Sequence, residues 1–474
     1  MYKFIFFILL LTFFSCKKDK YDTDYNSGLS YSVSEISFDT VFTTVGTITK
    51  NFKIYNPTNH IIVISKIKVG SGKNSFFRIN VNGASGYEFS NIEIYPGDSM
   101  YVFLNLTIDP TNQNNPLLIK DSLLFSFLNT TEKVILKAYG QDAYFHTPKY
   151  PSDTTPYYSI ISKNEVWTSD KPHVIMGYLF IDSLATLRIE SGVKIYMYNG
   201  ASLIVYNGGS LKIKGIKDSP VLIQGFRQEE YYKNEPGQWD RIWLSKGSIN
   251  NTISYAIIKN GTVGIHADTV GNYNPTLRIN NTIISNMSVS GIFAQGAKIE
   301  GYNCVISNCG ETLLSLTIGG EYDFKHCTFA NYWIKSTRQS PSIFLKNYYK
   351  DITGTTQIRN INKAYFGNCI VYGNFENEFL IDKVYDPSSV LNYKLEYCLM
   401  KYNIQDANIF NCILNQDPLF VNSDNNDYKL KESSPAVNFG NIDIAKNISN
   451  DILGVSRLAD NAPDAGAYEF KKVK

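Results

Sequence analysis

The sequence lacks several features that would point directly to an activity. Its 45 lysines and arginines nearly balance 43 aspartates and glutamates, so the net charge is only +2, and nothing indicates nucleic acid or a strongly acidic partner. Histidine is scarce, with five in 474 residues. His60, His146, His173 and His266 stand at no recognisable catalytic spacing from a serine, cysteine or carboxylate. We therefore expect each of them to be exposed or locally hydrogen-bonded.

Cysteine motifs for metal binding are also missing. The seven cysteines include no CxxC pair and no Cys/His spacing typical of zinc. Four of them occupy one column of a repeat described below, where Ala256 and Thr282 are the other members: Cys304, Cys327, Cys369 and Cys398. This pattern predicts small, buried, free thiols and leaves a lateral disulfide open. We expect no metal and no cofactor.

Only one long hydrophobic run occurs, at residues 4–14. It is shorter than the roughly 18 apolar residues that span a bilayer, and a lysine precedes it, so it predicts a signal peptide. The small residue before Cys16 and the polar stretch after it resemble a bacterial lipoprotein signal, in which Cys16 would be lipidated. An ordinary secretory signal is the alternative. We expect a flexible tether at residues 17–30 and an exported protein whose lipid anchors it to the outer membrane, facing the periplasm or outward.

The feature that is present is a repeat. Residues 253–260, 279–286, 301–308 and 324–331 share one pattern that ends in Asn, and their starts are 26, 22 and 23 residues apart. This is the period of a solenoid coil. The fourth and sixth positions are small and apolar and share one face of a strand, so they predict the core. The eighth positions predict an asparagine ladder between coils: Asn260, Asn286, Asn308 and Asn331.

The preceding stretch has a different organisation. Residues 31–143 contain about seven short apolar or alternating segments separated by turn residues, which is the size of an immunoglobulin-like sandwich. The stretch resembles the Ig-like modules of exported bacterial proteins, for which a spacer role is favoured over binding. Residues 144–165 carry Pro148, Pro151 and Pro156 among polar residues and predict a linker.

A strand-and-turn ladder follows the predicted linker. Residues 185–193, 200–205, 209–215, 219–225 and 237–242 resemble the opening coils of right-handed parallel β-helix proteins of the pectate-lyase-like superfamily, and residues 417–421, 434–437 and 464–468 resemble their ending. The resemblance covers residues 166–470. It implies an all-β chain in which the Ig-like sandwich precedes a right-handed parallel β-helix at 166–416, with C-terminal coils and a cap at 417–474. It says little about activity.

Two stretches interrupt the coils, at residues 226–243 and 332–364. Insertions in solenoids gather on one face, where binding surfaces are built, and aromatic rings beside charged groups suit sugars. The candidate ligand-binding residues are therefore Tyr231, Tyr232, Trp239, Trp333, Arg338, Tyr348 and Tyr349. The alternative for each is that it covers the open side of a coil.

The same resemblance suggests which catalytic residues an enzyme of this superfamily would need. Lyases of the superfamily hold Ca²⁺ with clustered carboxylates and remove a proton with Arg or Lys, while hydrolase relatives use several aspartates. The outward positions of the repeated strand, such as Tyr255, Asn281, Asn303 and His326, form no acidic column. A metal-free site at Arg338 or His326 stays open. The sequence favours a non-catalytic binding or adhesive surface for carbohydrate. A polysaccharide lyase or glycoside hydrolase is the alternative, and a scaffold for other envelope proteins is the third hypothesis.

Overall fold

The computed structural model describes residues 20–23, 28–109, 117–150, 157–268 and 275–472. The predicted signal peptide, its Cys16 and most of the predicted tether lie outside these ranges. The chain forms two units, residues 1–142 and 143–474. Within the described ranges, no helix combines the length and the apolar character needed to cross a bilayer.

The first unit is a β-sandwich. Its described residues form two five-stranded sheets. One contains, in spatial order, Ser30–Tyr31, Lys50–Tyr55, Ser99–Leu106, Phe77–Val81 and Ala84–Gly86; the other contains Glu35–Phe42, Thr130–Gln141, Leu117–Phe127, Ile62–Val69 and Glu88–Ile94. A 3-10 turn lies at Gly72–Asn74. Neighbouring strands are antiparallel except for Glu35–Phe42, which pairs in parallel with Thr130–Gln141.

Alternation along the strands builds the core of this sandwich. In Ser99–Leu106, the side chains of Val102, Leu104 and Leu106 are buried, whereas Tyr101 and Phe103, which alternate with them along the strand, are exposed. Successive residues of a strand point to opposite faces, so this alternation turns one face of each sheet inward. The predicted β-sandwich is confirmed, and its Ig-like classification stays a prediction.

The second unit is the predicted parallel β-helix. A complete coil contributes one strand to each of three parallel sheets, which hold eleven, nine and ten strands in the described residues because the last coils are incomplete. The eleven-stranded sheet contains Tyr144–His146, His173–Ile175, Lys194–Met197, Val221–Gly225, Ala256–Lys259, Ile283–Met287, Val305–Cys309, Thr328–Asn331, Ile370–Gly373, Leu399–Met400 and Ile413–Leu414. The nine-stranded sheet contains Tyr158–Ile161, Tyr178–Ile181, Ser202–Val205, Trp239–Leu244, Gly261–Asp268, Ser290–Gln295, Thr312–Thr317, Ile343–Lys346 and Phe379–Asp382. The ten-stranded sheet contains Glu165–Trp167, Thr186–Glu190, Ser210–Lys214, Asn251–Ser254, Leu277–Asn280, Lys298–Tyr302, Gly320–Lys325, Ile361–Gly367, Leu391–Glu396 and Ile409–Phe410.

Columns of like side chains fill the space between the sheets. The predicted inward column runs through register partners in adjacent coils of the eleven-stranded sheet: Ile195, Ile223, Ile258, Ile284, Ile306, Phe329, Val371 and Met400. All of them are buried. β-branched residues dominate because they pack well on a pleated surface, and stacking neighbours gives each coil a continuous core.

Five of the six cysteines of the described residues behave as small fillers of one such column, and the sixth, Cys309, is buried as the register partner of Met287. In adjacent coils, the Cys327 amide contacts the Cys369 sulfur at 3.5 Å, and the Cys398 amide contacts the Cys412 sulfur at 3.3 Å. The cysteines of the described residues are free thiols. Burial raises the pKa of Cys309 to about 12.

The stretch predicted as a linker contributes the first coil instead. Tyr144–His146 pairs in parallel with His173–Ile175, and Tyr158–Ile161 pairs with Tyr178–Ile181. The prolines that suggested a linker lie between these strands rather than within them. Strands of three and four residues are too short for an alternating pattern to reveal them.

The C-terminal stretch, predicted as further coils and a cap, forms no further coil in its described residues. It consists of an antiparallel hairpin, Phe420–Asn422 with Asp427–Leu430, a 3-10 turn at Ser423–Asn425, a short α-helix at Ile442–Ala445, and irregular chain. Its apolar side chains pack on the outer face of the eleven-stranded sheet, where Val305, Ala330, Ile370 and Leu399 meet Phe420, Tyr428, Leu430, Ala436, Ile452, Ala465 and Ala467. We call residues 417–472 the C-terminal cover.

The predicted asparagine ladder forms only in part. The Asn286 amide donates to Asn260 Oδ1 at 2.7 Å. Asn308 instead accepts from the Tyr332 amide at 3.0 Å, and Asn331 bonds the backbone of Cys309. A second ladder lies at the preceding turn, where the Asn303 amide donates to Asn281 Oδ1 at 3.0 Å. Asn260, Asn286 and Asn308 of the first column and both asparagines of the second have positive φ, which asparagine adopts more readily than most residues. Asn331 is the exception and ends the strand Thr328–Asn331.

Candidate functional site

Three of the sequence-predicted ligand-binding residues are buried and cannot form an exposed binding surface, so for them the alternative of a packing role applies. Trp239 is 1% exposed, packs in the solenoid core, and donates its indole N–H to the Lys259 carbonyl at 2.9 Å. Trp333 is also buried and donates to Ser336 Oγ. Arg338 is 6% exposed and forms two hydrogen bonds with the carboxylate of Glu378. Each side chain anchors an insertion to the coils.

The four predicted tyrosines lie at the surface in two separate places. Tyr231 is 74% exposed, and Tyr232 beside it is half-buried under the Arg227 guanidinium at 3.7 Å. Tyr348 and Tyr349 lie on a hairpin formed by Tyr348–Lys350 and Thr356–Ile358. The Tyr348 hydroxyl donates to the Asp382 carboxylate at 2.9 Å.

The two insertions that precede strands of the nine-stranded sheet contact each other, as expected for insertions on one solenoid edge. Lys335 Nζ bonds Glu235 Oε1 at 2.6 Å across 100 residues of sequence. The Asn260 and Asn286 amides donate to the carbonyls of Lys233 and Asn234. These contacts fix the edge at which the chain enters the nine-stranded sheet.

A row of apolar and aromatic side chains crosses the outer face of the nine-stranded sheet from one end to the other. Its members are register partners in adjacent coils: Ile160, Phe180, Ile204, Trp243, His266, Phe293, Ser315, Phe344 and Leu380. Phe180, Trp243, Phe293 and Phe344 are each half-buried and therefore partly open to solvent. We call this set the aromatic row. Nine strands about 4.8 Å apart give it a length of about 38 Å.

A second row, two residues further along each strand, is polar. It runs through the register partners Asp268, Gln295, Thr317, Lys346 and Asp382. Side chains two apart on a strand share a face, so this polar row lies beside the aromatic row on the same surface. Lys346 pairs with Asp382 at 3.0 Å and lies over the Tyr348 ring at 4.3 Å, which places Tyr348 against the polar row.

A hydrogen-bonded cluster joins the two rows near the middle of the sheet. His266 stacks on Trp243 with parallel ring planes and centroids 5.2 Å apart. The Trp243 indole N–H donates to Asp268 Oδ2 at 2.8 Å, and His266 Nε2 lies 3.0 Å from Asp268 Oδ1. Arg241 Nη1 lies 3.1 Å from His266 Nδ1 and Arg241 Nε contacts both carboxylate oxygens of Asp240.

These contacts assign the protons of the cluster. The Arg241 guanidinium can only donate, so His266 Nδ1 accepts and the neutral ring carries its proton on Nε2, facing Asp268. Burial alone would raise the pKa of Asp268, but hydrogen bonds from His266 and Trp243 and the charge of Arg241 outweigh it and lower that pKa below its usual value. Asp268 is therefore ionised at neutral pH. Because His266 uses both ring nitrogens, it is better suited to hold Asp268 and Trp243 in place than to transfer protons.

Sequence reasoning found Arg241 within an insertion and missed the rest of this cluster. His266 was expected to be exposed or locally hydrogen-bonded, with no carboxylate at a catalytic spacing, and it bonds Asp268, which lies two residues away on the same strand face. The spacing His266 to Asp268, like Arg241 to Trp243, was the available signal, because residues at i and i+2 of a strand share a face.

The two residues left open for metal-free catalysis are not accessible. Arg338 is committed to Glu378, and His326 is fully buried, where it contacts the Asn368 amide at 3.0 Å. Burial is the main reason that the pKa of His326 lies well below its usual value. In the part of the chain that is described, no group of three or more His, Cys, Asp or Glu side chains is arranged to hold a metal ion.

The fold and this face define a protein of the parallel β-helix class. Neither a protein-family model nor a curated protein sequence matches the chain. Among solved structures, the catalytic unit of the GH87 α-1,3-glucanase from Streptomyces thermodiastaticus is 9% identical, with 77% of this chain and 75% of that chain covered and a TM-score of 0.23.

Two other similar structures match a smaller part of this chain. The family 123 glycoside hydrolase from Clostridium perfringens is 7% identical, with a TM-score of 0.19, and the match spans 25% of this chain and 30% of that one. A PapD-like domain of human CEP192 is 9% identical over 27% of this chain and 96% of that one, with a TM-score of 0.18. Scores this low support no statement about activity.

Proposed function

We propose that this protein binds a polysaccharide along the outer face of the nine-stranded sheet, without cleaving it. The observation that carries the proposal is the pairing of the aromatic row with the polar row on one open surface. Aromatic rings contact the apolar faces of sugars, and carboxylate, amide and hydroxyl groups beside them bind the hydroxyls. The surface is extended rather than a closed pocket, which suits a polymer.

The hydrogen bonds of the cluster favour binding over catalysis. Asp268 accepts from Trp243 and His266, and Asp240 accepts from Arg241 and from Ser202 Oγ at 2.7 Å. A general acid or base needs a proton position that faces the substrate, and both carboxylates are already engaged by protein donors. Such a network holds side chains rigidly, which lowers the entropy cost of binding.

The cellular setting completes the proposal. The lipoprotein-like signal at Cys16 supports export and attachment to the outer membrane by a lipid, with the β-sandwich as a spacer that presents the solenoid. In this setting the ligand would be an extracellular or envelope polysaccharide. Labelling cells with a radioactive fatty acid, with the Cys16→Ser variant as control, tests the anchor.

The test of binding is electrophoresis of the soluble protein, residues 17–474, through gels cast with single polysaccharides. Retarded migration with polymer of unchanged length supports binding. Trp243→Ala should weaken the retardation, because it removes both the ring and the indole donor to Asp268. Tyr302→Ala is the matched control, since Tyr302 is also an exposed aromatic residue on a solenoid strand, but lies on the ten-stranded sheet.

Two results would contradict the proposal. Shortened polymer after incubation would favour the alternative of a polysaccharide lyase or glycoside hydrolase, with Asp240 and Asp268 as the first carboxylates to replace. Equal retardation of the wild type and Trp243→Ala would mean that the binding surface lies elsewhere, at the exposed insertion around Tyr231 or on the hairpin that carries Tyr349.

A further inference from the structure

The aromatic row has a period. Phe180, Trp243, Phe293 and Phe344 occupy every second coil, and the coils between them contribute Ile204, His266 and Ser315. With strands about 4.8 Å apart, the larger rings recur about every 9.6 Å along the solenoid axis. Four of them in phase define a straight track of about 29 Å.

This period restricts the shape of the polymer. In an extended, ribbon-like polysaccharide with twofold symmetry, alternate sugars present the same face, and the repeating unit is a disaccharide of nearly the same length as two coils. Such a chain, lying parallel to the solenoid axis, brings an equivalent sugar face to each large ring. A polysaccharide that coils or bends moves out of phase after the first ring or two.

The charges on this face restrict the chemistry of the polymer. The described strands of the nine-stranded sheet carry two cations, Arg241 and Lys346, and each is already paired with an aspartate at 3.0 Å. The third aspartate, Asp268, is ionised and lies beside the aromatic row. An anionic polymer would therefore meet a negative group and would have to displace existing ion pairs to find a cation.

We infer that the ligand is a neutral, extended, β-linked polysaccharide that lies along the solenoid axis, with alternate sugars on Phe180, Trp243, Phe293 and Phe344. The inference rests on the proposed function and names its ligand class. Sugar hydroxyls at the edge of the ribbon then face the polar row, where Gln295 and Thr317 lie between the charged ends.

A panel of polymers separates this inference from the proposed function. Gels contain hydroxyethyl cellulose as the neutral β-linked chain, dextran as a neutral flexible α-linked chain, or polygalacturonate as an acidic chain, each at low and high salt. We expect retardation by hydroxyethyl cellulose alone and at both salt concentrations, because no net ion pairing is involved. Equal or stronger retardation by dextran or polygalacturonate overturns the ligand class and leaves polysaccharide binding standing. No retardation by any of the three refutes both.

The period itself is tested by moving one ring out of phase. The double variant Phe293→Ser/Ser315→Phe keeps the number of aromatic residues and shifts one of them by a single coil. Both positions are half-buried on the same face, so the exchange preserves the core. If the period matters, the exchange weakens binding about as much as Phe293→Ala does, roughly five- to tenfold for one aromatic contact.

Unchanged affinity of the exchange variant would overturn the inference, because the row would then act only through its number of rings. Unfolding in urea, followed by tryptophan fluorescence, checks that the exchange leaves the solenoid intact. Phe344→Leu/Leu380→Phe makes the same one-coil shift at the next large ring and serves if the first exchange unfolds.

Discussion

The buried pair of Arg338 and Glu378 gives the sharpest prediction about stability. The Glu378 carboxylate is fully buried and accepts five hydrogen bonds: two from Arg338 at 2.9 and 2.6 Å, two from the amide and hydroxyl of Ser342 at 2.9 and 2.7 Å, and one from the Phe375 amide at 2.8 Å. It therefore ties the insertion that carries Arg338 to the last coils.

Replacing Glu378 by alanine removes every acceptor of this site at once. The Arg338 charge stays buried without a counter-charge, which costs about 3–5 kcal/mol. Two backbone amides also lose their acceptor, at about 1–3 kcal/mol each when water cannot replace it. The insertion can relax and admit some water, so we expect Glu378→Ala to lower the free energy of unfolding by about 4–6 kcal/mol.

Urea unfolding followed by tryptophan fluorescence measures this change in the solenoid alone, since Trp167, Trp239, Trp243 and Trp333 are the four tryptophans and all lie in the second unit. Glu376→Ala is the control, because this neighbouring glutamate is exposed and should change stability by less than about 0.5 kcal/mol. Arg338→Met/Glu378→Gln should recover most of the loss, since it removes the charge and keeps an acceptor. A loss below about 1 kcal/mol for Glu378→Ala would refute the reasoning.

Three further predictions follow from the packing of the solenoid. Truncation after residue 416 removes the C-terminal cover and exposes the apolar side chains of Val305, Ile370 and Leu399, so the shortened protein should aggregate. Elution as a monomer in size-exclusion chromatography would contradict this prediction. In the protein from residue 17 onward, a thiol reagent should label the half-buried Cys412 first and should label the five buried cysteines only when the protein unfolds. Rapid labelling of several thiols in the native protein would contradict the burial of these cysteines. Burial lowers the pKa of His146 to about 4 and that of His173 to about 3, so both stay neutral in the folded protein, whereas in the unfolded chain they bind protons near the ordinary pKa of about 6.5. This pair should therefore lower the free energy of unfolding by about 3–4 kcal/mol from about pH 7 to pH 5. His146→Phe/His173→Phe should remove that contribution and leave the remaining slope, to which the buried His326 also contributes; an unchanged slope in urea unfolding at the two pH values would contradict the prediction.

The repeat alone predicts the architecture of the second unit. Inward columns such as Ile258, Ile284 and Ile306 have the spacing of coils and the parity of strands, and both properties are local. The same parity failed to identify the first coil, because its strands are short, and it could not distinguish further coils from the C-terminal cover. The turn residues within 417–472 are compatible with further coils and with the irregular chain of the C-terminal cover, so they do not distinguish the two.

The candidate site was predicted only in outline. Aromatic residues in the insertions were expected to bind sugars, and Trp239 and Trp333 instead anchor those insertions in the core. The residues that form the aromatic row come from nine coils with different loop lengths between them, so no fixed sequence spacing connects Trp243, Phe293 and Phe344. Only the strand pairing of the sheet puts them in line.

The sequence by itself determined the type of repeating unit, the identity of its inward face and the small residues of its turns, because each depends on side chains a few positions apart. Tertiary structure alone decided which outward faces stay open. The apolar outward column of the eleven-stranded sheet is covered by a segment more than 100 residues away in sequence, at Tyr428 against Val305, while the aromatic row of the nine-stranded sheet stays partly exposed. The residues of both columns form the same pattern along a single strand. Their solvent exposure differs because the chain that follows the last coil packs on one sheet and not on the other.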